Sequence, residues 1–185
     1  MGVNYIRRFW KDKQVASITP SSKFSVRYLR NRIDFQKANV VVEYGAGNGV
    51  FSKMLADNMH EKSKLILFET NSDFVEDLKN IFKGDDRIHV VCENALDVCS
   101  VLDNLGIDGA DYIITGIPFT FLDNGERKSL IENSFHKLRE GGHFISYQFS
   151  LTVNKYVKNQ FGGIKLSVQP FNIPPLLVVE GVKRP

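Results

Sequence analysis

The sequence is poor in the residues that would support several simple alternatives to a packed enzyme-sized globule. Its two cysteines, Cys92 and Cys99, are separated by six residues and form no CxxC pair. That spacing indicates neither a disulfide framework nor a zinc site, so a reduced, cytoplasmic setting is expected with both thiols inert and Cys92 buried in a strand. His60, His89, His136 and His143 show no ligand spacing, and no metal is expected. A membrane span needs about 20 apolar residues, whereas the longest uncharged runs, such as 141–154, are shorter and rich in Gly, Ser and Asn. Charges at positions 7, 8, 11, 12 and 13 occupy the place where a signal peptide would hold its apolar core. Any membrane contact must therefore be peripheral.

What is present fits one domain: 185 residues, 43% of them hydrophobic, within the usual range of roughly 100–200 residues. The near-neutral total, net +3, conceals an uneven distribution. Residues 1–37 carry nine basic side chains against Asp12 and Asp34, net +7, and the remainder is net −4. A basic segment on a mildly acidic globule suggests an anionic partner, a nucleic acid or a lipid surface. Residues 1–37 are thus expected to form a basic helical extension, a lid or an anchor, ahead of a ligand-binding domain over 38–185.

From Ala38 onward, β-rich apolar runs alternate with longer amphipathic ones, the pattern of βαβ units around a mostly parallel sheet. Strands are predicted at 39–44, 64–69, 88–92, 111–116, 143–149, 165–169 and 176–182, with helices at 50–58, 73–82, 96–105, 126–139 and 153–160. Gly141-Gly142 reads as the C-cap of the fourth of these helices, and Asp85-Asp86, Asp108 and Asp111 as solvated turns. Pro170, Pro174 and Pro175 block a helix between the last two strands, which should pair antiparallel at one edge. Two helices precede the sheet. In the first, Val3, Ile6, Phe9 and Trp10 share one face and Arg7, Arg8 and Lys11 the other; the second, 23–34, follows Pro20 and is capped by Ser22.

The strongest chemical signal is Val40-Val41-Val42-Glu43-Tyr44-Gly45-Ala46-Gly47-Asn48-Gly49, a strand running into glycines at i, i+2 and i+4. Such glycines permit a tight strand-to-helix turn and close approach of backbone to a ligand, and the helix that follows offers unpaired N–H groups. Glu69 lies 20 residues beyond Gly49, at the end of the second predicted strand, where a carboxylate can accept both hydroxyl hydrogens of an adenosine ribose. A dinucleotide fingerprint would need glycine at position 50, where the chain has Val50, and no Gly-Lys-Ser/Thr phosphate loop is present. A nucleoside ligand without a phosphate clamp remains.

With ExGxGxG at 43–49 and Glu69 beyond it, the chain resembles the class I S-adenosylmethionine-dependent methyltransferases. The resemblance implies a three-layer α/β, Rossmann-like fold whose seven-stranded, mostly parallel sheet ends in an antiparallel strand. It implies S-adenosylmethionine as cofactor, with S-adenosylhomocysteine as product. Gly45, Gly47 and Gly49, next to Tyr44, would pass under its methionine part. Glu43 would support the amino group, Glu69 the ribose and Asn94-Ala95 the adenine, with Thr70 a further cofactor contact. Gly116-Ile117-Pro118-Phe119 would border the acceptor pocket. Pro20-Ser21-Ser22, Thr115-Gly116-Ile117-Pro118 and Asn172-Ile173-Pro174-Pro175 narrow the similarity. Together they resemble the short phospholipid N-methyltransferases and, secondarily, the ribosomal RNA adenine dimethylases.

The two relatives differ in what the acceptor needs. Adenine N6 is conjugated with its ring and weakly nucleophilic, and the adenine enzymes open their motif with an Asn or Asp whose oxygen accepts the exocyclic N–H. Here that slot holds Gly116, and no RNA-binding module is expected after Pro185. An aliphatic amine needs only positioning and loss of one proton, which favours phosphatidylethanolamine or a partly methylated derivative. The Ile117 carbonyl, Phe119 and Tyr147 would surround that nitrogen, with cation–π attraction for methylated amines and water or Tyr147 taking the proton. Tyr5, Phe9 and Trp10 suit an interfacial helix, and Ser21 and Ser22 a cap or lid contact. Adenine dimethylation, small-amine methylation and a cofactor-binding regulator without turnover are the alternatives.

Overall fold

A computed structural model describes residues 23–171 and 175–184. The expectations for Tyr5, Phe9, Trp10, Ser21 and Ser22, and for Asn172, Ile173 and Pro174, lie outside the described residues. The element order is α1 (Lys23–Arg30), β1 (Val40–Tyr44), α2 (Val50–Asn58), β2 (Lys64–Phe68), α3 (Ser72–Ile81), β3 (Ile88–Val91), α4 (Val98–Asn104), β4 (Ala110–Thr115), α5 (Asn124–Lys137), β5 (Leu138–Gln148), α6 (Asn154–Phe161), β6 (Lys165–Gln169) and β7 (Leu176–Val182).

The strands form one seven-stranded sheet in the order β3-β2-β1-β4-β5-β7-β6. β7 runs antiparallel to both neighbours and the other pairs are parallel. The central strands are apolar because helices cover both of their faces, as parallel sheets require. One layer packs Val98, Leu102, Leu130, Ile131, Val157 and Phe161 from α4, α5 and α6 against the sheet. The other packs Leu29, Phe51, Met54, Leu55 and Leu78 from α1, α2 and α3. Each such side chain contributes roughly 1.5–3 kcal/mol by leaving water. Leu29 of α1 and Ile33 after it belong to this core, so the boundary expected at residue 37 falls inside a packed layer.

Four local expectations are corrected. Helix α1 ends at Arg30 rather than at residue 34, because Arg32 and Ile33 make tight i→i−3 turn bonds and Asp34 N–H donates to the Tyr112 hydroxyl. Gly141-Gly142 is no helix cap: α5 stops at Lys137 and the glycines lie within β5, where its register against β4 shifts. Gly141 has φ +77°, and a Cβ on Gly142 would sit 2.8 Å from the Arg139 carbonyl, so the kink requires glycine. Cys92 is exposed, since β3 stops pairing at Val91 and the chain turns away there. Asp111 is no free turn residue; its carboxylate accepts the Asn39 and Val40 N–H groups at 2.8 Å and fixes the start of β1.

Strand order reverses between β1 and β4. In sheets of this class ligands bind beyond the carboxyl ends of the strands at that point, which places the site at the rim formed by Gly45, Glu69 and Gly116.

Candidate active site

β1 delivers the glycine loop to this rim and β2 holds it there. The N–H groups of Gly45 and Ala46 both donate to the Phe68 carbonyl, at 2.8 and 3.2 Å. Gly45 and Gly49 have φ of 74° and 77°. A Cβ on Gly45 would come 3.0 Å from Ile117 Cγ1, and one on Gly49 2.9 Å from Leu78 Cδ2. Conformation and space therefore both demand glycine. Tyr44 does not face the cleft: its ring lies edge-on to Phe68 in the core and its hydroxyl pairs with Ser134. It serves the rim through its carbonyl, which accepts the Gly116 N–H at 3.3 Å.

Two buried carboxylates flank the loop. Glu69 is 2% exposed. One of its oxygens accepts the Gly47 N–H at 2.9 Å, and the other the Thr70 and Asn71 N–H groups at 2.8 and 2.9 Å. It ties the loop after β1 to the turn after β2, and because a carboxylate has about four acceptor positions it can still receive a hydroxyl. Glu43 is fully buried, with one oxygen accepting from Ser52 Oγ at 2.5 Å and the other, Oε1, without a partner. Burial, reinforced by the neighbouring Glu69 charge and opposed by the Ser52 hydrogen bond, pushes its carboxyl up to about 8. A buried acceptor lacking a donor is costly, and a cationic group beside Oε1 would satisfy it.

The cleft beside them holds about 580 Å³ including its open mouth, the size of a small-molecule site. Of the expected residues, Gly45, Glu69, Thr70, Asn94, Ala95 and Ile117 line it together. Asn94 Oδ1 also caps the short helical turn that follows, by accepting the Leu96 N–H. Phe119 is corrected: it is fully buried in the core, and Phe121, two residues on, lines the cleft with Pro118 and Leu122. Thr115 Oγ1 and Gln148 Oε1 hold this segment by accepting the Ile117 and Phe119 N–H groups. Pro118 lies in the segment expected to border the acceptor pocket, whereas Phe121, Leu122, Thr115 and Gln148 carry no sequence signal as cleft or supporting side chains.

Tyr147 packs on Phe51, ring centroids 4.4 Å apart, with its hydroxyl end against Gly116. Burial and the nearby Glu43 charge hold that hydroxyl well above its ordinary value of 10. It therefore keeps its proton at neutral pH, which removes it from the role of base. Gly45 and the ribose-capable Glu69 line the cleft, and Glu43, with its unpaired oxygen, lies buried in β1 just before the glycine loop rather than in the cleft lining; together they fit an adenosine bearing a cationic amino-acid arm.

Residues 21–114 match the family described as ribosomal RNA adenine dimethylase. The ornithine lipid N-methyltransferase of Singulisphaera acidiphila is 27% identical over 173 residues, 92% of this chain and 90% of that protein. Among solved structures, the N-methyltransferase NodS from Bradyrhizobium japonicum WM9, in complex with S-adenosyl-L-homocysteine, aligns with a TM-score of 0.70 at 13% identity over 98% of both chains. The O-methyltransferase from Bacillus cereus, also in complex with S-adenosylhomocysteine, gives 0.70 at 14% over 91% of this chain and 86% of that one. Both share the fold. The family match runs from the start of α1 through most of β4 and so contains the glycine loop and both buried acids. On that half of its length the chain belongs to the ribosomal RNA adenine dimethylase family, and it is an S-adenosylmethionine-dependent N-methyltransferase.

Proposed function

We propose that the protein methylates the amine of a membrane lipid, with the ethanolamine head group of phosphatidylethanolamine or a partly methylated derivative as acceptor. The observation that carries this reading is the packing of Gly116. A Cβ there would lie 2.6 Å from the Tyr147 hydroxyl, so the space an Asn or Asp would use is filled by the Tyr147 ring and the position offers adenine N6 no acceptor oxygen. The family match ends at residue 114, just before this segment. The similarity to the ornithine lipid enzyme, whose name also specifies an amine-bearing lipid, extends over 92% of the chain.

In this reading Gly45, Gly47 and Gly49 carry the methionine part of the cofactor, Glu43 its amino group, Glu69 and Thr70 the ribose, and Asn94 and Ala95 the adenine. When bound, S-adenosylmethionine supplies a methyl group on a sulfonium and leaves as S-adenosylhomocysteine. The Ile117 carbonyl orients the acceptor amine, and Phe121 and Tyr147 present aromatic surface to its methylated forms. An aliphatic ammonium must lose one proton before attack, and water at the open mouth takes it.

The state of Glu43 gives this assignment a proton signature. Near pH 7 the unliganded carboxyl is protonated, and a cationic amino group beside it converts it to carboxylate. Binding should therefore release about one proton per cofactor and tighten as pH rises from about 6 towards 8. Calorimetry in buffers of different ionisation enthalpy measures this, and Glu43→Gln should abolish the proton release. Without cofactor the sign is the reverse of the usual carboxylate case. A pKa raised from 4.5 to about 8 on folding means that stability is lost as pH rises across that window.

The acceptor is tested by supplying labelled S-adenosylmethionine in parallel to vesicles of phosphatidylethanolamine, to ornithine lipid, to ribosomal RNA and to small amines. Label is expected in an aminolipid, with phosphatidylethanolamine ahead. Label confined to RNA would overturn the proposal, and label in ornithine lipid alone would replace its head group.

A further inference from the structure

The molecule is electrically two-sided. Residues 34–140, which build β1 to β4 and α2 to α5, carry 11 basic and 19 acidic side chains. The described residues 23–33, 141–171 and 175–184, which supply α1, most of β5, α6, β6 and β7, carry nine basic and one acidic. That acid, Glu180, is buried between Arg32 at 3.3 Å and His143 at 2.8 Å, and so presents no charge to the surface. Arg27, Lys155, Lys158 and Lys165 are exposed. The edge of the protein formed by α1, α6, β7 and β6 thus carries a marked excess of basic side chains, with Asp34 and Glu140 at its border beside Arg32 and His143.

The same side is unusually apolar where it meets the rim. Phe24 is 58% exposed and Phe171 72%, their rings 5.8 Å apart, and Phe149 and Leu151 are about half exposed. Gln148 pairs with Leu177, and Gln169 with Leu176. Phe149 and Phe171 therefore leave the sheet at its same end, the one beyond which Gly45, Glu69 and Gly116 form the cleft. Apolar side chains scattered singly over a surface are ordinary. Four gathered on one basic rim beside a binding cleft mark an interaction surface.

We infer that this rim docks the protein on an anionic bilayer, with Phe24, Phe149, Leu151 and Phe171 entering the interface and the flanking lysines and arginines meeting anionic head groups. Interfacial segments combine these features, and each basic residue close to an anionic leaflet adds about 1 kcal/mol. Leu151 offers no stacking face to a base, which favours lipid over single-stranded nucleic acid. The surface is distinct from residues 1–22, and docking there turns the cleft mouth towards the membrane. The inference rests on the lipid reading above but is tested without turnover.

Full-length protein is sedimented with vesicles of phosphatidylcholine containing phosphatidylglycerol. Phe24→Ser/Phe171→Ser is expected to lower partitioning about tenfold per phenylalanine. Lys155→Glu/Lys158→Glu should lower it about fivefold or more per charge on anionic vesicles, and leave weak binding to pure phosphatidylcholine unchanged. All four residues are exposed and outside the cleft, so S-adenosylmethionine affinity should be retained in both variants. Unchanged partitioning of both would overturn the inference, and is the result expected if residues 1–22 or a second copy cover these side chains. A loss of RNA binding in place of vesicle binding would overturn it too. If partitioning falls but no lipid takes label, the docking surface stands and the acceptor assignment fails.

Discussion

Glu69→Ala is expected to weaken S-adenosylmethionine binding by at least about a hundredfold, with a lowered melting temperature even when no cofactor is present. The carboxylate accepts three backbone N–H groups, from Gly47, Thr70 and Asn71. Its removal leaves the buried Gly47 donor unpaired, at a cost of about 1–3 kcal/mol, and releases the Thr70 and Asn71 donors of the part-buried turn. The glycine loop and the β2 turn would then separate, and any contact with the ribose would be lost with them. Glu69→Gln keeps the shape but has one acceptor oxygen, so it should fall between wild type and alanine. Comparing the wild type on S-adenosylhomocysteine and on an analogue without ribose hydroxyls separates the two roles. A purely structural clamp would bind both alike. A loss of less than tenfold in Glu69→Ala would contradict the assignment.

Gly116→Asn should have a comparably large effect, on turnover more than on cofactor binding. The new Cβ would meet the Tyr147 hydroxyl at 2.6 Å and ring carbons at 2.8 and 2.9 Å, so the ring must leave its place on Phe51. Overpacking of this kind costs about 1–3 kcal/mol in stability. Displacing a side chain at the reacting centre by an ångström can cost about a hundredfold in rate. Methyl transfer to lipid is expected to fall by that factor or more, with S-adenosylmethionine affinity within about tenfold of wild type. If the amide instead conferred adenine methylation without loss of lipid turnover, Gly116 would not be what selects the acceptor.

The cofactor half of the site was legible in the sequence because its requirements are local. A tight turn under a ligand demands glycine at fixed spacing, and the acid after the next strand follows from the βαβ repeat. The acceptor half was less so. Phe119 and Phe121 are chemically alike and two residues apart. Which one faces the cleft depends on a short helical turn over Phe119–Phe121, held by Gln148 from a strand 29 residues away. Tyr44 misleads for a related reason: it adjoins the glycine motif, but strand alternation sends its side chain into the core. Gly141-Gly142 looks like a cap because a kinked strand start and a helix stop both select glycine, and only pairing with β4 tells them apart. The basic side is invisible in a running charge count, since it joins α1 to elements more than 100 residues later in the chain.

The position of β7 between β5 and β6 also sets the order in which the sheet can be completed during synthesis. β6 leaves the ribosome first but has no strand to pair with until β7 follows and lies down on β5. The strands that carry the cofactor loops, β1 to β5, are contiguous in the chain and can pair beforehand. Arg32, already emerged near α1, then receives its partners Ser167 and Glu180 from the closing hairpin. The nascent protein should thus acquire its cofactor rim before its apolar basic flank is assembled, which keeps the adhesive surface out of existence until the enzyme behind it is nearly built.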